Sequence, residues 1–158
     1  MSAAPPRGGA WVLVQGALLI GFLILPAYPG RAPGAGSGAT HALTIGAVVL
    51  WAAGIGLFVS AARGLGRSLT PFPAPAERGR LVRTGAYRLV RHPIYSALIL
   101  GAAGVAIYWA SLPHAAGVLL LFAFFDLKAR REEALLRARY PEYDDYRRRV
   151  RRLIPWLY

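Results

Sequence analysis

Long uncharged runs alternate with short, dense basic blocks along this chain, and the alternation constrains the fold more than any other feature. The sequence carries no formal charge between Arg7 and Arg31, or between Arg31 and Arg63. A third such run extends from Pro93 to Phe125. More than half of the 158 residues are apolar, yet the net charge is +12. Apolar runs flanked by basic residues are typical of membrane proteins, so we expect an all-α polytopic membrane protein.

The three runs together predict about four transmembrane helices. The first predicts a span at about residues 10–27, for which a cleaved signal peptide is the alternative. The second predicts a span at about 42–62, since about twenty residues at 1.5 Å each cover the roughly 30 Å of hydrocarbon. The third run is too long for one span and short for two, and Pro113 interrupts it near its middle. We therefore expect a tight hairpin of two short helices, at residues 94–109 and 113–126.

The distribution of basic residues predicts the orientation. The segment from Arg63 to Arg91 holds seven arginines, and the tail from Lys128 holds ten basic residues. The N-terminus and the loop between the first two spans hold one arginine each. Four spans place both of these basic blocks, and with them residues 66–93 and 127–158, on one side, which the positive-inside rule makes cytoplasmic. We expect one integral domain in the inner cell membrane, with both termini and an amphipathic C-terminal helix in the cytoplasm.

Composition also limits the classes of function. The absence of cysteine excludes disulfides, thiolate metal sites and a cysteine nucleophile, and the sequence predicts no metal site. Most arginines can serve as anchors to anionic lipid, worth about 1 kcal/mol each near the surface. Because the basic blocks adjoin membrane spans and no nucleic-acid module is recognisable, we expect membrane lipid rather than nucleic acid as a partner. The sequence leaves the oligomeric state open.

The segment from Leu81 to Tyr95 contains a richer mixture of side chains than an anchor requires. Pro93 suits the first turn of a helix, where a missing N–H leaves no hydrogen bond unmade. The free N–H groups of that turn favour an anionic group, and Arg91 and His92 lie beside them. This arrangement indicates a place for a carboxylate-bearing cofactor or substrate. The alternative is an ordinary helix start with interfacial tyrosines and arginines.

A second segment, from Asp126 to Glu133, follows the fourth predicted span, and the hairpin returns it to the start of the third. Its charges allow i,i+4 ion pairs such as Lys128 with Glu132. Adjacent positions on a helix point about 100° apart, so Glu132 and Glu133 are not expected to share one role. One of them can face a pocket while the other is solvated.

Both segments resemble one known family, the isoprenylcysteine carboxyl methyltransferases, whose membrane superfamily includes phospholipid methyltransferases. The first resembles the family's Gly-x-Tyr…Arg-His-Pro-x-Tyr signature through Gly85-Ala86-Tyr87 and Arg91-His92-Pro93-Ile94-Tyr95. The second resembles its Glu-Glu…Tyr-x-x-Tyr…Pro pattern through Glu132-Glu133, Tyr140-Pro141-Glu142-Tyr143 and Arg152-Leu153-Ile154-Pro155. The match covers about residues 66–158 and suggests a short, bacterial-type member. The first two predicted spans resemble the family only in being apolar helices and carry none of these motifs.

The resemblance implies an integral membrane methyltransferase that uses S-adenosylmethionine and acts on a lipophilic or lipidated acceptor. Carried over by position, it implies cofactor contacts from Leu81, Val82, Tyr87, Arg91, His92, Pro93, Ile94, Tyr95, Glu132 and Glu133. It implies catalytic or substrate-holding roles for Glu132, Lys128 and Arg131. The chain departs from the eukaryotic pattern in carrying Lys128 where an arginine is frequent, and Gly79-Arg80 where a histidine-containing segment occurs.

Two chemistries follow from this implied activity. A carboxylate acceptor is already ionised at neutral pH and needs no base, so a cation such as Lys128 or Arg131 would hold it. An amine acceptor would need deprotonation, with Glu132 or Glu133 as candidate bases. The open alternatives are a phospholipid or amine N-methyltransferase, an NADPH-dependent sterol-type reductase, and a scaffold that only binds anionic lipid.

Overall fold

A computed structural model describes residues 8–28, 38–70, 72 and 79–158 of the chain. Within these ranges the protein is helical and contains no strand, so the expected all-α class is confirmed. The α-helices are α1 (Gly9–Leu23), α2 (Gly38–Leu65), α3 (Pro93–Trp109), α4 (Leu112–Arg139) and α5 (Tyr143–Arg149). Short 3-10 turns occupy Gly66–Ser68 and Gly85–Arg88. Arg7, Arg31 and most of the predicted cytoplasmic segment between residues 71 and 78 lie outside the described residues.

In the described part of the chain, α2 and α4 are long and apolar enough to cross a membrane, with 28 residues each. α1 and α3 are also apolar, but they have 15 and 17 residues. Large apolar side chains are exposed along α1 and α2, among them Leu13, Ile20, Ile45 and Ile55. Such a surface suits contact with lipid. By length and composition, α2 and α4 can each span a membrane. The count of four spans stays a prediction.

The connection between α3 and α4 consists of Ala110 and Ser111. Ala110 ends α3 in the left-handed conformation, with φ of 47°. Ser111 caps α4, because its hydroxyl oxygen accepts a hydrogen bond from the backbone N–H of His114. Pro113 lies in the first turn of α4, where no N–H is required. The interruption expected near Pro113 is therefore present.

α4 differs from the prediction at its other end, because it continues to Arg139 rather than ending at Asp126. The residues after Asp126 are mainly alanine, leucine, arginine and glutamate, all good helix formers, and no glycine or proline occurs before Pro141. The loss of hydrophobicity predicts an end near Asp126, whereas helix propensity continues the helix to Arg139. The predicted cytoplasmic segment 127–158 thus begins inside a continuous helix.

α2 and α3 pack closely through small residues. An added Cβ at Gly104 of α3 would lie 2.6 Å from Cδ1 of Trp51, and one at Gly54 of α2 would lie 3.1 Å from the carbonyl oxygen of Ala97. The Trp51 indole N–H donates to the carbonyl of Gly101 at 3.1 Å. Close approach of backbones at small residues is the usual way in which membrane helices gain contact.

The C-terminal segment after α5 returns to the start of α3. The N–H groups of Arg91 and His92 donate to the carbonyls of Arg151 and Arg152 at 2.7 and 3.1 Å. The hydroxyl of Ser96 donates to the carbonyl of Leu153 at 2.6 Å. These bonds attach the C-terminal segment to the helix start, and they satisfy the backbone donors of the two residues before Pro93.

Candidate active site

A cavity of about 460 Å³ lies where the start of α3 meets α4, α5 and the first two helices. Small-molecule sites typically enclose roughly 300–1,000 Å³, so the cavity is large enough for a cofactor-sized ligand. Nine of the ten predicted cofactor contacts line it: Leu81, Val82, Tyr87, Arg91, His92, Pro93, Ile94, Tyr95 and Glu132. Lys128 also lines it, whereas Glu133 and Arg131 do not.

Glu132 is the carboxylate on the cavity wall. Its side chain is 24% exposed, and its Oε2 accepts a hydrogen bond from the Tyr95 hydroxyl at 2.9 Å. The Nδ1 atom of His92 lies 3.5 Å from the same oxygen. The rings of His92, Tyr95 and Phe125 form a stacked column, with centroids 5.4 and 4.9 Å apart. The column and its hydrogen bonds hold the Glu132 carboxylate in place without burying it completely.

Glu133 lies behind the wall in a buried cluster of charges. Its Oε1 lies 2.9 Å from Nε of Arg91, 3.2 Å from Nε2 of His92 and 3.2 Å from Nε of Arg152. Arg152 also pairs with Asp126 at 2.6 Å. The expectation that one of the two glutamates faces a pocket fits Glu132. The expectation that the other is solvated is wrong, because the C-terminal segment brings Arg152 over that face of α4.

His92 lies between the two carboxylates, with Nδ1 near Glu132 and Nε2 near Glu133. Burial disfavours the charged imidazolium, but the hydrogen bonds and charges of both glutamates outweigh it and raise the pKa of His92 above its ordinary value. The protonated ring donates from both nitrogens, so it can satisfy both carboxylates at once. The start of α3 therefore holds the His92 ring between two carboxylates.

Lys128 is the predicted substrate cation that lines the cavity. Its side chain is nearly inaccessible, with the residue 1% exposed, and its Nζ lies 5.4 Å from the centroid of the Tyr95 ring. Nζ also donates a short hydrogen bond to Oε1 of Gln15. Arg131 is exposed and lies off the wall, so the geometry gives no support to its predicted role.

Tyr143 supplies a buried hydroxyl that the sequence analysis did not assign. The residue is 1% exposed and lines the cavity, and burial raises its pKa. Among the described residues its hydroxyl has no hydrogen-bond partner. A buried polar group without a partner costs about 1–3 kcal/mol, which a polar atom of a ligand would recover.

Two further tyrosines accompany it on the wall. The hydroxyl of Tyr140 donates to the carbonyl of Gly79 at 2.7 Å, and that of Tyr146 donates to the carbonyl of Tyr87 at 2.6 Å. The three-residue spacing of Tyr143 and Tyr146 was a usable signal, since both lie in α5 and residues three apart share a face of a helix. The missed Gln15 also had a signal, as the only amide in the apolar run of α1.

Residues 42–143, well over half of the chain, match the family model described as phospholipid methyltransferase. The chain is 38% identical over 78 residues to the nickel-cobalt-cadmium resistance protein NccN of Alcaligenes xylosoxydans xylosoxydans, covering 49% of this chain and 37% of that protein. It is 32% identical over 83 residues to a probable protein-S-isoprenylcysteine O-methyltransferase of Oryza sativa subsp. indica, covering 51% and 44%. The chain thus spans less than half the length of these curated relatives.

Within its described part, no three His, Cys, Asp or Glu side chains form a group that could hold a metal ion.

Proposed function

This chain belongs to the phospholipid methyltransferase family, within a superfamily of membrane methyltransferases, and from that premise we propose that it transfers a methyl group from S-adenosylmethionine to a lipophilic acceptor. The observation that carries the proposal is the cavity at the start of α3. It gathers nine residues that the motifs assign to the cofactor, and it adds the unpaired hydroxyl of Tyr143. Membership of the family supports methyl transfer as the reaction, and the cavity supports the start of α3 as its site.

The polar groups on the wall are of the kinds that S-adenosylmethionine requires. Glu132 offers a carboxylate to ribose hydroxyls or to the amino group of the cofactor, and Tyr143 offers a hydroxyl donor. Aromatic and aliphatic side chains from Val82, Tyr87 and Ile94 surround these polar groups. Mostly apolar lining with a few placed polar groups is the usual composition of a cofactor site.

When bound, the sulfonium of the cofactor supplies an activated methyl group. The protein's own contribution is to hold the acceptor in line and to exclude water, because well-oriented groups react without further activation. Lys128 is the lysine that lines the wall, and we propose that its ammonium holds an anionic acceptor. Glu132 remains partly accessible to the cavity and can accept a proton from a neutral or cationic nucleophile.

A carboxylate is the acceptor that the wall favours, because Lys128 can hold it and no base is then required. An amine is the second candidate. It is favoured by the description of the matching family, phospholipid methyltransferase, and by the position of Glu132. The exposed apolar surfaces of α1 and α2 support entry of a lipophilic acceptor from the membrane. We place the chain in the inner membrane by four spans, with the cavity reached from the cytoplasm by the cofactor.

Binding of radiolabelled S-adenosylmethionine to the purified protein in lipid nanodiscs tests the proposal. We expect saturable binding that Glu132→Gln weakens about tenfold, because a charge-assisted hydrogen bond is lost. Glu142→Gln is the matched control, since Glu142 is exposed and lies off the wall. Binding of NADPH instead would identify a reductase, and binding of neither would leave a lipid-binding scaffold.

A further inference from the structure

α1 lies outside the segment that matches the family model, yet it contributes Gln15 and Leu19 to the cavity wall. The remainder of α1 is almost entirely apolar. An amide in such a helix costs free energy unless it is hydrogen-bonded. Gln15 meets this requirement through Lys128, whose ammonium donates to its side-chain carbonyl.

Packing on both sides of Gln15 determines where its amide lies. Toward the end of α1, Phe22 sits against Gly117 of α4 so closely that an added Cβ at Gly117 would lie 2.7 Å from Cδ2 of Phe22. Toward the beginning, the ring of Trp11 lies 5.7 Å from the ring of Phe124. Because these two contacts set the register of α1 on α4, the Gln15 amide occupies a defined position on the wall.

The position of the Lys128 ammonium follows from that of Gln15. A lysine ammonium sits on a flexible four-carbon stem, so its location depends on the groups that bind it. Here Nζ is held by the Gln15 carbonyl and by the face of Tyr95, whose hydroxyl donates to Glu132. The amide thus places the cation on the same wall as the carboxylate, on the side where α1 closes the cavity.

We propose that Gln15 is a positioning residue, which holds the ammonium of Lys128 where it binds the anionic group of the acceptor. The ligand chemistry is a carboxylate or phosphate joined to an apolar chain. The inference rests on the proposed function, because it assigns that wall to the acceptor. The inference gives α1, which none of the family motifs includes, a role in determining which acceptor binds.

Lys128 is the only lysine in the chain, which allows a direct test. A protein grown with 15N-labelled lysine gives one side-chain ammonium signal, and we would follow it in nanodiscs during titration with dodecanoate. Dodecanol has the same chain length without the charge, and dodecyl phosphate distinguishes a phosphate site from a carboxylate site. We expect dodecanoate or dodecyl phosphate, but not dodecanol, to shift the signal in the unmodified protein.

Three variants separate positioning from a purely structural role. Gln15→Met keeps the volume and removes the amide, and we expect about tenfold weaker anion binding with an altered Lys128 signal before ligand is added. Gln15→Glu keeps an acceptor for Lys128 but neutralises its charge, so it should also weaken anion binding while Lys128 stays fixed. Leu13→Ala is the control, because Leu13 is 76% exposed and lies off the wall.

The outcomes keep this inference separate from the proposed function. Unchanged anion affinity in Gln15→Met, with or without a loss of thermal stability, would overturn the positioning role. Binding of S-adenosylmethionine to the unmodified protein is measured in the same samples. If the unmodified protein bound no S-adenosylmethionine, the proposed function would fail whatever the Lys128 signal did.

Discussion

At the scale of single residues, Tyr143 and Tyr146 differ in whether their buried hydroxyls find a hydrogen-bond partner. Its hydroxyl is buried on the cavity wall without a partner among the described residues. Tyr146, one helical turn further on, donates its hydroxyl to the carbonyl of Tyr87. The two side chains are chemically identical, so the difference in their surroundings makes Tyr143 the proposed ligand contact and Tyr146 a contact that stabilises the fold.

Substitution of Tyr143 by phenylalanine should therefore separate binding from stability. We expect Tyr143→Phe to weaken binding of S-adenosylmethionine about fivefold, while the free energy of unfolding stays unchanged or rises by about 1 kcal/mol. Tyr146→Phe is the matched control, which should lower the free energy of unfolding by about 1 kcal/mol because a made hydrogen bond is lost. Thermal unfolding and equilibrium binding measure both quantities. Equal effects of the two variants on both would contradict the assignment.

His92 predicts a dependence of stability on pH. The charges and hydrogen bonds of Glu132 and Glu133 raise the pKa of His92 despite its burial, and Arg91 and Tyr95 complete its charged and titratable surroundings. A raised pKa in the folded state stabilises it fully below the ordinary value of about 6.5 and less as pH rises through the raised value. We expect the melting temperature to fall across that window, and the fall to be smaller in His92→Gln. A parallel fall in both proteins would show that His92 is not responsible.

At the scale of elements, the sequence predicted most helix positions but not where α4 ends. Hydropathy marks where a helix leaves the apolar layer, whereas helix propensity decides where the backbone stops being helical, and the two differ beyond Asp126. The start of α3 at Pro93 and the interruption near Pro113 were predictable, because proline acts through local geometry.

The candidate site was predictable where one continuous motif carries it. The segment from Leu81 to Tyr95 lines the cavity largely as the motif implies. Gln15 and the burial of Glu133 were not predictable, since both depend on contacts between segments far apart in sequence: α1 on α4, and Arg152 on α4. Single-sequence patterns carry no direct information about such pairings.

Packing of α2 against α3 gives a prediction at the same scale. Alanine at Gly104 would bring its Cβ against the Trp51 ring and within 3.2 Å of the carbonyl oxygen of Ala47. We expect Gly104→Ala to lower the free energy of unfolding by about 1–2 kcal/mol, because overpacking outweighs the gain in helix propensity. Gly46→Ala in α2 is the control, since nothing lies within 4 Å of its added Cβ, and it should be neutral or stabilising. Thermal unfolding that ranks the two variants the other way would contradict this packing.

At the scale of the whole molecule, the four proposed spans place both basic blocks in the cytoplasm. The seventeen basic residues of these blocks should therefore lie on one side, with one arginine in the connection between the first two helices. Reporter fusions after Ser37 and after Tyr158 test this arrangement. We expect the first to be active only outside the cytoplasm and the second only inside it. A C-terminal reporter active only outside the cytoplasm would refute four spans with both termini inside.

The proposed methyl transfer depends on the membrane helices and the cavity together. Transfer of a radiolabelled methyl group from S-adenosylmethionine into lipid-soluble products, in membranes that contain the protein, tests it most directly. We predict incorporation that falls at least tenfold in Glu132→Gln and is retained in Glu142→Gln, because Glu132 lies on the cavity wall and Glu142 does not. No label in the lipid-soluble fraction, or equal incorporation with Glu132→Gln, would contradict the account.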